Sequence, residues 1–322
     1  MLRVLRRNAH RFDIYSEDAL TSAWQVPEDT VWVDMHCPSR SEELAAELAL
    51  SLQLPTPEEM QQIEPSSRLY REAGATFMTA SLLTRSDQDV AELCPVTFVL
   101  TGDRLITVRF FNSKAFDVFG QRALSPTTDS SSGADTFLGL MDAIIERGAE
   151  VLETGSAQVQ ESSAAIFSRP KGGAFEPLLT SLARTQSTTS LVRTSLVSLG
   201  RLASFAALAH EISEDPAHQI HLSSIQHDIQ SLTEHSGYQA SHISFLLDAA
   251  LGLINIEQNA TMKFFAVVTV LLMPPTLIGA IYGMNFKNMP ELEWPFGYPM
   301  AICLMILSGL IPFLWFRRKN WF

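Results

Sequence analysis

Two uncharged apolar runs near the C-terminal end constrain this chain more than any other feature. Residues 264–283, FFAVVTVLLMPPTLIGAIYG, and residues 298–316, YPMAICLMILSGLIPFLWF, contain no Asp, Glu, Lys, Arg or His. Each is close to the ~20 residues that carry an α-helix across ~30 Å of hydrocarbon. A buried hairpin in a soluble core is the alternative, but two uncharged spans in series are rare there. The chain therefore reads as an integral membrane protein with two transmembrane helices, and the lipid bilayer is its first partner.

Charge orients the spans. The segment between them carries Lys287, Glu291 and Glu293, whereas Arg317, Arg318 and Lys319 follow the second. Basic flanks stay on the cytoplasmic side, so both termini are expected inside and the loop outside. Trp294, Tyr298, Trp315 and Trp321 fall near the expected interfaces, where amphipathic rings are comfortable. The start, MLRVLRRNAHRFD, is basic but has no apolar stretch long enough for a signal peptide, so the N-terminus is expected to remain in the cytoplasm.

Two spans cannot enclose a water-filled path. Transport would need an oligomer in which one span of each subunit lines a shared axis. Steps of three and four through the first span give Asn259, Met262, Ala266, Thr269, Met273, Thr276, Ala280 and Gly283. That stripe is its least lipophilic face, and the other faces are Phe, Val, Leu and Ile. Small and hydroxyl residues also suit plain helix–helix packing in bilayers, so the stripe alone leaves both readings open. Pro274 and Pro275 remove backbone hydrogen bonds and predict a bend or local widening.

The rest of the chain is acidic. The formal charge is −12, and because the residues from Thr261 onward are net positive by three, residues 1–260 carry −15. Such a body disfavours nucleic acid, which needs a basic face, and favours cations. Cys37, Cys94 and Cys303 form no C-x-x-C pair, which fits a reducing compartment. His36 beside Cys37 lacks further ligands at a recurring spacing, so packing explains the pair. No P-loop, dinucleotide fingerprint or catalytic triad is present, so neither ATP nor an enzymatic activity is indicated.

Three regions are expected: 1–123, an α/β domain; 124–260, a helical region; and 261–322, the membrane hairpin. In the first, VWVDM, ATFMTASLLT, VTFVLTG and LITVRF read as strands. SEELAAELALSL and TPEEMQQI read as capped helices. Residues 124–135, LSPTTDSSSGAD, read as a linker. Helical periodicity runs from Asp135 to Ile166, and again from Phe175 to Ile212 after RPKGG. Asp215-Pro216 is a helix start signal, and no Pro follows until Pro274. One helix is thus predicted over 216–282, roughly 100 Å long at 1.5 Å per residue, suited to a stalk. Ile225, Ile229, Leu232, Ile243, Leu246 and Leu253 are its expected packed seam. Glu214, His221, Asp228, His235 and His242 recur every seven residues on nearly one face. Neighbours about 10 Å apart cannot share an ion within one chain. They form a solvated stripe, a metal-sensing site between subunits, or a set of inter-subunit hydrogen bonds.

The segment joining the spans adds a resemblance. Tyr282-Gly283-Met284-Asn285, then Met289-Pro290-Glu291-Leu292, Trp294 and Gly297-Tyr298-Pro299, is similar to the signature of the CorA-type magnesium and cobalt channels, the GMN-motif metal ion transporters. Trp32-Val-Asp-Met-His-Cys-Pro, Ser67-Arg68-Leu69, and Val96-Thr-Phe-Val-Leu with Leu105-Ile-Thr-Val-Arg109 resemble that family's cytosolic strands, more loosely. The resemblance implies a homopentameric funnel, made of an α+β cytosolic domain, a long α-helical stalk and two transmembrane helices. It implies import of Mg²⁺, with Co²⁺ and Ni²⁺ as further cargo, across a bacterial inner membrane. No cofactor is implied; Mg²⁺ is the substrate and a regulatory ligand that closes the channel from the cytosol.

The family's pore-lining positions fall on Asn259, Met262, Met273, Thr276 and Asn285, with a bulky gate position near Phe265. Gly283, Met284 and Asn285 are the expected selectivity filter. Ala266, Thr269 and Ala280 complete the pore face. Asp228, His221, His235 and His242, with the acids of 142–161, are candidate regulatory metal ligands. Zinc transporters of the same fold usually vary the middle motif residue, so Met284 favours magnesium, and the doubled proline departs from the usual single one. A proton-coupled Zn²⁺ transporter of the same fold, or a membrane-tethered scaffold without flux, remains as an alternative.

Chemistry supports an Asn at the mouth. Mg²⁺ releases its water shell reluctantly, so a filter can read the hydrated ion. A ring of Asn285 carbonyls, with backbone carbonyls of Gly283 or Met284, would accept hydrogen bonds from those waters. A carboxylate ring would hold the ion too firmly for conduction. Glu291 and Glu293 either concentrate cations at the mouth or simply keep the loop solvated.

Overall fold

The computed structural model describes residues 1–7, 12–15, 24–62, 64–85, 91–124, 131–168, 175–285, 289–290 and 294–319. They divide into two compact units, Met1–Leu246 and Leu247–Phe322.

The first unit is built on a seven-stranded sheet. Its strands are β1 (Leu2–Arg6), β2 (Phe12–Tyr15), β3 (Thr30–His36), β4 (Leu69–Glu72), β5 (Ala75–Thr84), β6 (Glu92–Thr101) and β7 (Arg104–Arg109). They lie in the order β2-β1-β3-β7-β6-β5-β4. Every neighbouring pair is antiparallel except β3 and β7, which run parallel with Trp32 opposite Leu105. Central strands alternate between two apolar layers, as a period of two requires. On β6, Phe98 and Leu100 join one layer and Val99 the other. The helices α1 (Arg40–Leu50), α2 (Pro57–Met60) and α3 (Pro65–Arg68) follow β3. Ser39 and Thr56 cap α1 and α2 with reciprocal Glu42 and Glu59 bonds, so the cap of α1 lies two residues before Ser41, where the sequence placed it, while Thr56 is the expected one.

A buried polar network pins the middle of the sheet. Asp34 is 0% exposed and accepts from Arg3, from Arg109 Nε at 3.1 Å and Nη2 at 2.9 Å, and from the Thr107 hydroxyl at 2.9 Å. Trp32 Nε1 donates to that hydroxyl at 3.0 Å. Burial alone would raise the Asp34 pKa, but Arg109 and Arg3 outweigh it and hold the carboxyl below its ordinary range.

The helices α4 (Lys114–Ala123), α5 (Gly133–Phe167), α6 (Phe175–Ala206), α7 (His210–Ser213) and α8 (Pro216–Tyr282) complete the order before α9 (Gly297–Arg318). The expected linker overlaps α5, whose N-cap is Ser132. Gly133 is required there, because its N–H meets Asp103 O at 2.7 Å and a Cβ would lie 2.3 Å from the Arg104 carbonyl carbon. The helix predicted to reach Ile212 instead stops at Ala206, and α7 restarts four residues later, at His210. Ala206, Ala209 and Ile212 are all fully buried, so packing rather than local propensity sets that break.

Helix α8 starts and ends as its sequence predicts. Asp215 Oδ1 accepts the Ala217 N–H at 2.8 Å. Within the first unit Ile225, Ile229, Ile243 and Leu246 are buried, and Leu232 packs against the core. The middle of that seam is polar: Ser236 and Gln239 are buried, and Gln239 Nε2 reaches Leu152 O at 3.4 Å. A Cβ at Gly155 of α5 would come within 2.8 Å of Gln239 Nε2, so a larger residue there would displace the Gln239 amide.

Candidate functional site

In the second unit the C-terminal part of α8 and all of α9 are, among the described residues, the two helices apolar and long enough to cross a membrane, with mean hydropathy 2.2 and 2.1. Among their residues Val267, Ala301 and Phe316 are buried. The contact between them is set by small residues. A Cβ on Gly309 of α9 would sit 3.5 Å from Leu271 O and 3.6 Å from Pro275 Cγ, and one on Gly279 of α8 would sit 3.5 Å from Met305 Cε. Thus α9 lies against Leu271, Pro275 and Gly279. The half-covered positions 268, 271, 274, 275, 278, 279 and 282 repeat every three or four residues on that side. Pro275 has no N–H to give the Leu271 carbonyl, and the chain continues as helix through both prolines.

The predicted stripe lies elsewhere. At about 100° per residue, its centre is roughly 150° around the helix from the side that α9 covers. Asn259, Met262, Ala266, Thr269, Met273, Thr276 and Ala280 are all exposed in the single chain, and Phe265 lies exposed on the shoulder. The two threonines do not float. Thr269 Oγ1 donates to Phe265 O at 2.8 Å, and Thr276 Oγ1 reaches Leu272 O at 3.0 Å and Met273 O at 2.8 Å. With their protons given to the backbone, these hydroxyls offer lone pairs to whatever faces them.

The stripe runs into the helix end. Gly283 N donates to Gly279 O at 3.0 Å and Met284 N to Ile281 O at 3.3 Å, which closes the last turn. A Cβ at Gly283 would stand 3.0 Å from Gly279 O, so the first motif residue is held small by its own helix. Met284 and Asn285 follow in non-helical conformation, both exposed. Glu291 and Glu293, like Lys287, lie outside the described residues. At the far end of α9, Arg317 and Arg318 form the last turn, and Lys319 Nζ lies 5.0 Å from the Trp315 ring centre.

The heptad-spaced residues each take a different neighbour. His221 Nε2 is 2.7 Å from Asp142 Oδ2 on α5. His235 Nε2 is 3.4 Å from Ser156 Oγ. His242 lies between the rings of Tyr238 and Phe245. Asp228 is exposed and adds, with Glu146, to the negative field at Asp142. Burial raises the Asp142 pKa first, His221 opposes this, and the two carboxylates reinforce it. Among the described residues no three His, Cys, Asp or Glu side chains converge on a common point within one chain. The α8–α9 seam at Gly309 was not read from the sequence; a glycine within the second span opposite a doubled proline was its available signal.

A family model, described as CorA-like Mg²⁺ transporter protein, matches residues 27–318. A protein named magnesium transport protein CorA from Haemophilus ducreyi is 34% identical over 294 residues, 91% of this chain and 92% of that one. Its namesake from Mannheimia succiniciproducens is 34% identical over 292 residues, 90% of this chain and 92% of its own. Among solved structures, the complete CorA magnesium transporter from Methanocaldococcus jannaschii superposes with a TM-score of 0.78 at 16% identity, covering 100% of this chain and 99% of that one.

Proposed function

The chain belongs to the family of CorA-like Mg²⁺ transporter proteins, and on that premise we propose that it imports Mg²⁺ through a homopentameric pore lined by the exposed stripe of α8. The observation that carries this reading is the division of α8 into two sides. One is covered by α9; the other holds both intramembrane threonines and leads to Asn285. A helix whose own hairpin partner covers its far side can turn the stripe to a shared axis.

In this reading five Asn285 carbonyls accept hydrogen bonds from the waters of a hydrated Mg²⁺ at the outer mouth. Gly283 and Met284 shape the ring, Glu291 and Glu293 draw cations toward it, and Thr276 and Thr269 continue the row of acceptors inward. Met273, Phe265 and Met262 close the path by dewetting, and Ala266, Ala280 and Asn259 complete the wall. Both termini face the cytoplasm, and Arg317, Arg318 and Lys319 hold that orientation. The membrane potential drives entry: a divalent ion gains roughly 4.6 kcal/mol per 100 mV, from about 2.3 per charge. Cytosolic Mg²⁺ binding between subunits favours the closed state, with Asp142, Glu146 and Asp228, whose charges act on one another, and His221 beside Asp142 as candidate ligands, and His235 and His242 farther along α8. Because no three ligands converge within one chain among the described residues, this feedback depends on a neighbouring subunit.

The test is Mg²⁺ uptake by purified protein in liposomes under an imposed potential, with Co²⁺, Ni²⁺ and Zn²⁺ as competitors. Potential-dependent Mg²⁺ entry without a pH gradient is the expected result. Zn²⁺ entry that requires a proton gradient, or no flux at all, would overturn the assignment.

A further inference from the structure

The chain carries −12, yet one stretch reverses that sign. From Pro177 to His210 it has no Asp, Glu or Lys, but three arginines, Arg184, Arg193 and Arg201. Most of this stretch is α6, which packs on β5, and β5 is itself uncharged. Helix α3 packs on the same strand. Strand β4 pairs with β5 only between Ala75 and Met78, so among the described residues no strand lies beside the β5 edge beyond Met78 on that side. Ser81 lies on this edge, and its N–H is met by the Ser198 hydroxyl of α6 at 3.0 Å.

Arg68, the middle residue of Ser67-Arg68-Leu69, reaches the same point from the end of α3. Its Nη1 donates to Ser81 Oγ at 3.2 Å and its Nε to Gln62 O at 2.6 Å. A guanidinium has five N–H groups, and the rest of these find no acceptor among the described residues. Both serine hydroxyls act as acceptors here, Ser81 from Arg68 and Ser198 from the Ser81 N–H. A hydroxyl that accepts still has a proton to give, and among the described residues neither serine gives it to anything. Arg201 stands on α6 three residues beyond Ser198, the spacing that places two side chains on one face. It is exposed and makes no hydrogen bond or ion pair among the described residues. Burial first, and then the charge of Arg201, lower the Arg68 pKa from its ordinary value, and no carboxylate among the described residues offsets them.

We propose that Arg68, Arg201, Ser81 and Ser198 form a binding site for a phosphate-class oxyanion, on the first unit and separate from any ion path. Two like charges from different elements, with two hydroxyl protons beside them and no acceptor among the described residues, leave a surplus of donors. An anion with several oxygens removes that surplus and the repulsion together. The planar fork of a guanidinium matches such a group and holds it through two parallel bonds. The part-buried setting of Arg68, Ser81 and Ser198 strengthens the attraction over that of a fully solvated pair. A hydrated cation has no reason to enter. Inorganic phosphate and the phosphoryl group of a nucleotide share the required chemistry.

The experiment uses the full-length protein in detergent micelles, in Mg²⁺-free buffer at constant ionic strength, titrated calorimetrically with inorganic phosphate, sulfate and ATP. Saturable binding is expected. It should weaken about tenfold in Arg201→Gln, which alters an exposed side chain and leaves the fold intact, through loss of a charge-assisted contact. Arg68→Lys keeps the charge but not the fork, and should bind less tightly than the parent and more tightly than Arg68→Gln. Arg193→Gln, exposed on the same helix, should match the parent. Binding of inorganic phosphate identifies the free ion as sufficient, and binding of ATP without phosphate assigns the phosphoryl group of a larger ligand. No saturable heat with any of the three up to about 10 mM, or parental affinity in Arg201→Gln, overturns the proposal. So does an equal loss in Arg193→Gln and Arg201→Gln, which would show a diffuse basic field instead of a site.

Discussion

Which side of α8 stays open depends on where α9 lies, and Gly309 is the place to test it, because it meets backbone as well as side chain. An alanine there would put its Cβ 3.5 Å from Leu271 O and 3.6 Å from Pro275 Cγ, ordinary van der Waals distances. Gly309→Ala should therefore fit. It also removes a glycine from a helix interior, so the expected change lies between neutral and a gain of about 1 kcal/mol. Gly309→Leu places three further carbons beyond a Cβ already in contact. Neither a main-chain carbonyl nor a proline ring can rotate aside, so the cost should fall toward the upper end of the ~1–3 kcal/mol typical of overpacking. The assay is thermal melting of the detergent-solubilised protein beside Mg²⁺ flux in liposomes. The Leu variant should melt several degrees lower with impaired flux, and the Ala variant should match the parent in both. If Leu melts with the parent, or Ala falls as far as Leu, α9 does not lie against Leu271 and Pro275. The argument that turns the stripe toward an axis then fails with it.

Three other outcomes are expected. Asn285→Ala should abolish or greatly reduce Mg²⁺ flux in an intact pentamer, and Asn285→Asp should bind divalent ions more tightly and pass them more slowly, with some carboxyls kept protonated by mutual repulsion; near-parental flux in the Ala variant would make the motif structural only. Asp34→Asn leaves the buried Arg109, 1% exposed, without its carboxylate, and denaturant unfolding should show a loss of about 3–5 kcal/mol. Because the folded Asp34 pKa is depressed, its contribution is full above the unfolded value of about 3.9 and disappears as pH falls through the lower folded value; melting against pH should show an acid limb that the Asn variant lacks. Millimolar Mg²⁺ should protect the first unit of the proposed pentamer from protease relative to chelator, and identical digests would count against carboxylate bridging between subunits.

What the sequence displayed was local. Asp215-Pro216 announced α8, the absence of proline before Pro274 let it run, and hydropathy marked α9 without any tertiary knowledge. Strands β3, β5, β6 and β7 are short apolar or alternating runs and were legible in the same way. Strand β1 was not, because LRVLR sits in a basic opening stretch whose charges have no evident partner until Arg3 is seen beside Asp34, thirty-one residues away. The stop of α6 at Ala206 was equally hidden: AALAHEI is all good helix material, and only the demand to bury Ala206, Ala209 and Ile212 together breaks it. For the candidate site, the period of the stripe could be read, but not the side on which α9 would settle. That side depends on Gly309, Pro275 and Gly279 meeting across two helices. The histidine series shows the converse: a clean heptad in sequence separates in space, because His221, His235 and His242 each find different company on α5 or on α8 itself.

The hydroxyls of Thr269 and Thr276 have one more consequence. A freely turning hydroxyl greets cations with its oxygen and anions with its hydrogen, and so discriminates between neither. These two are locked by bonds to Phe265 O, Leu272 O and Met273 O, and only their electron-rich side is left to turn outward. In the proposed pore, chloride would meet rings of lone pairs with no proton to receive it, while water bound to Mg²⁺ would find acceptors at each step. Rejection of anions would thus be written into the wall by dipole direction alone, with no fixed charge to trap the cation that passes.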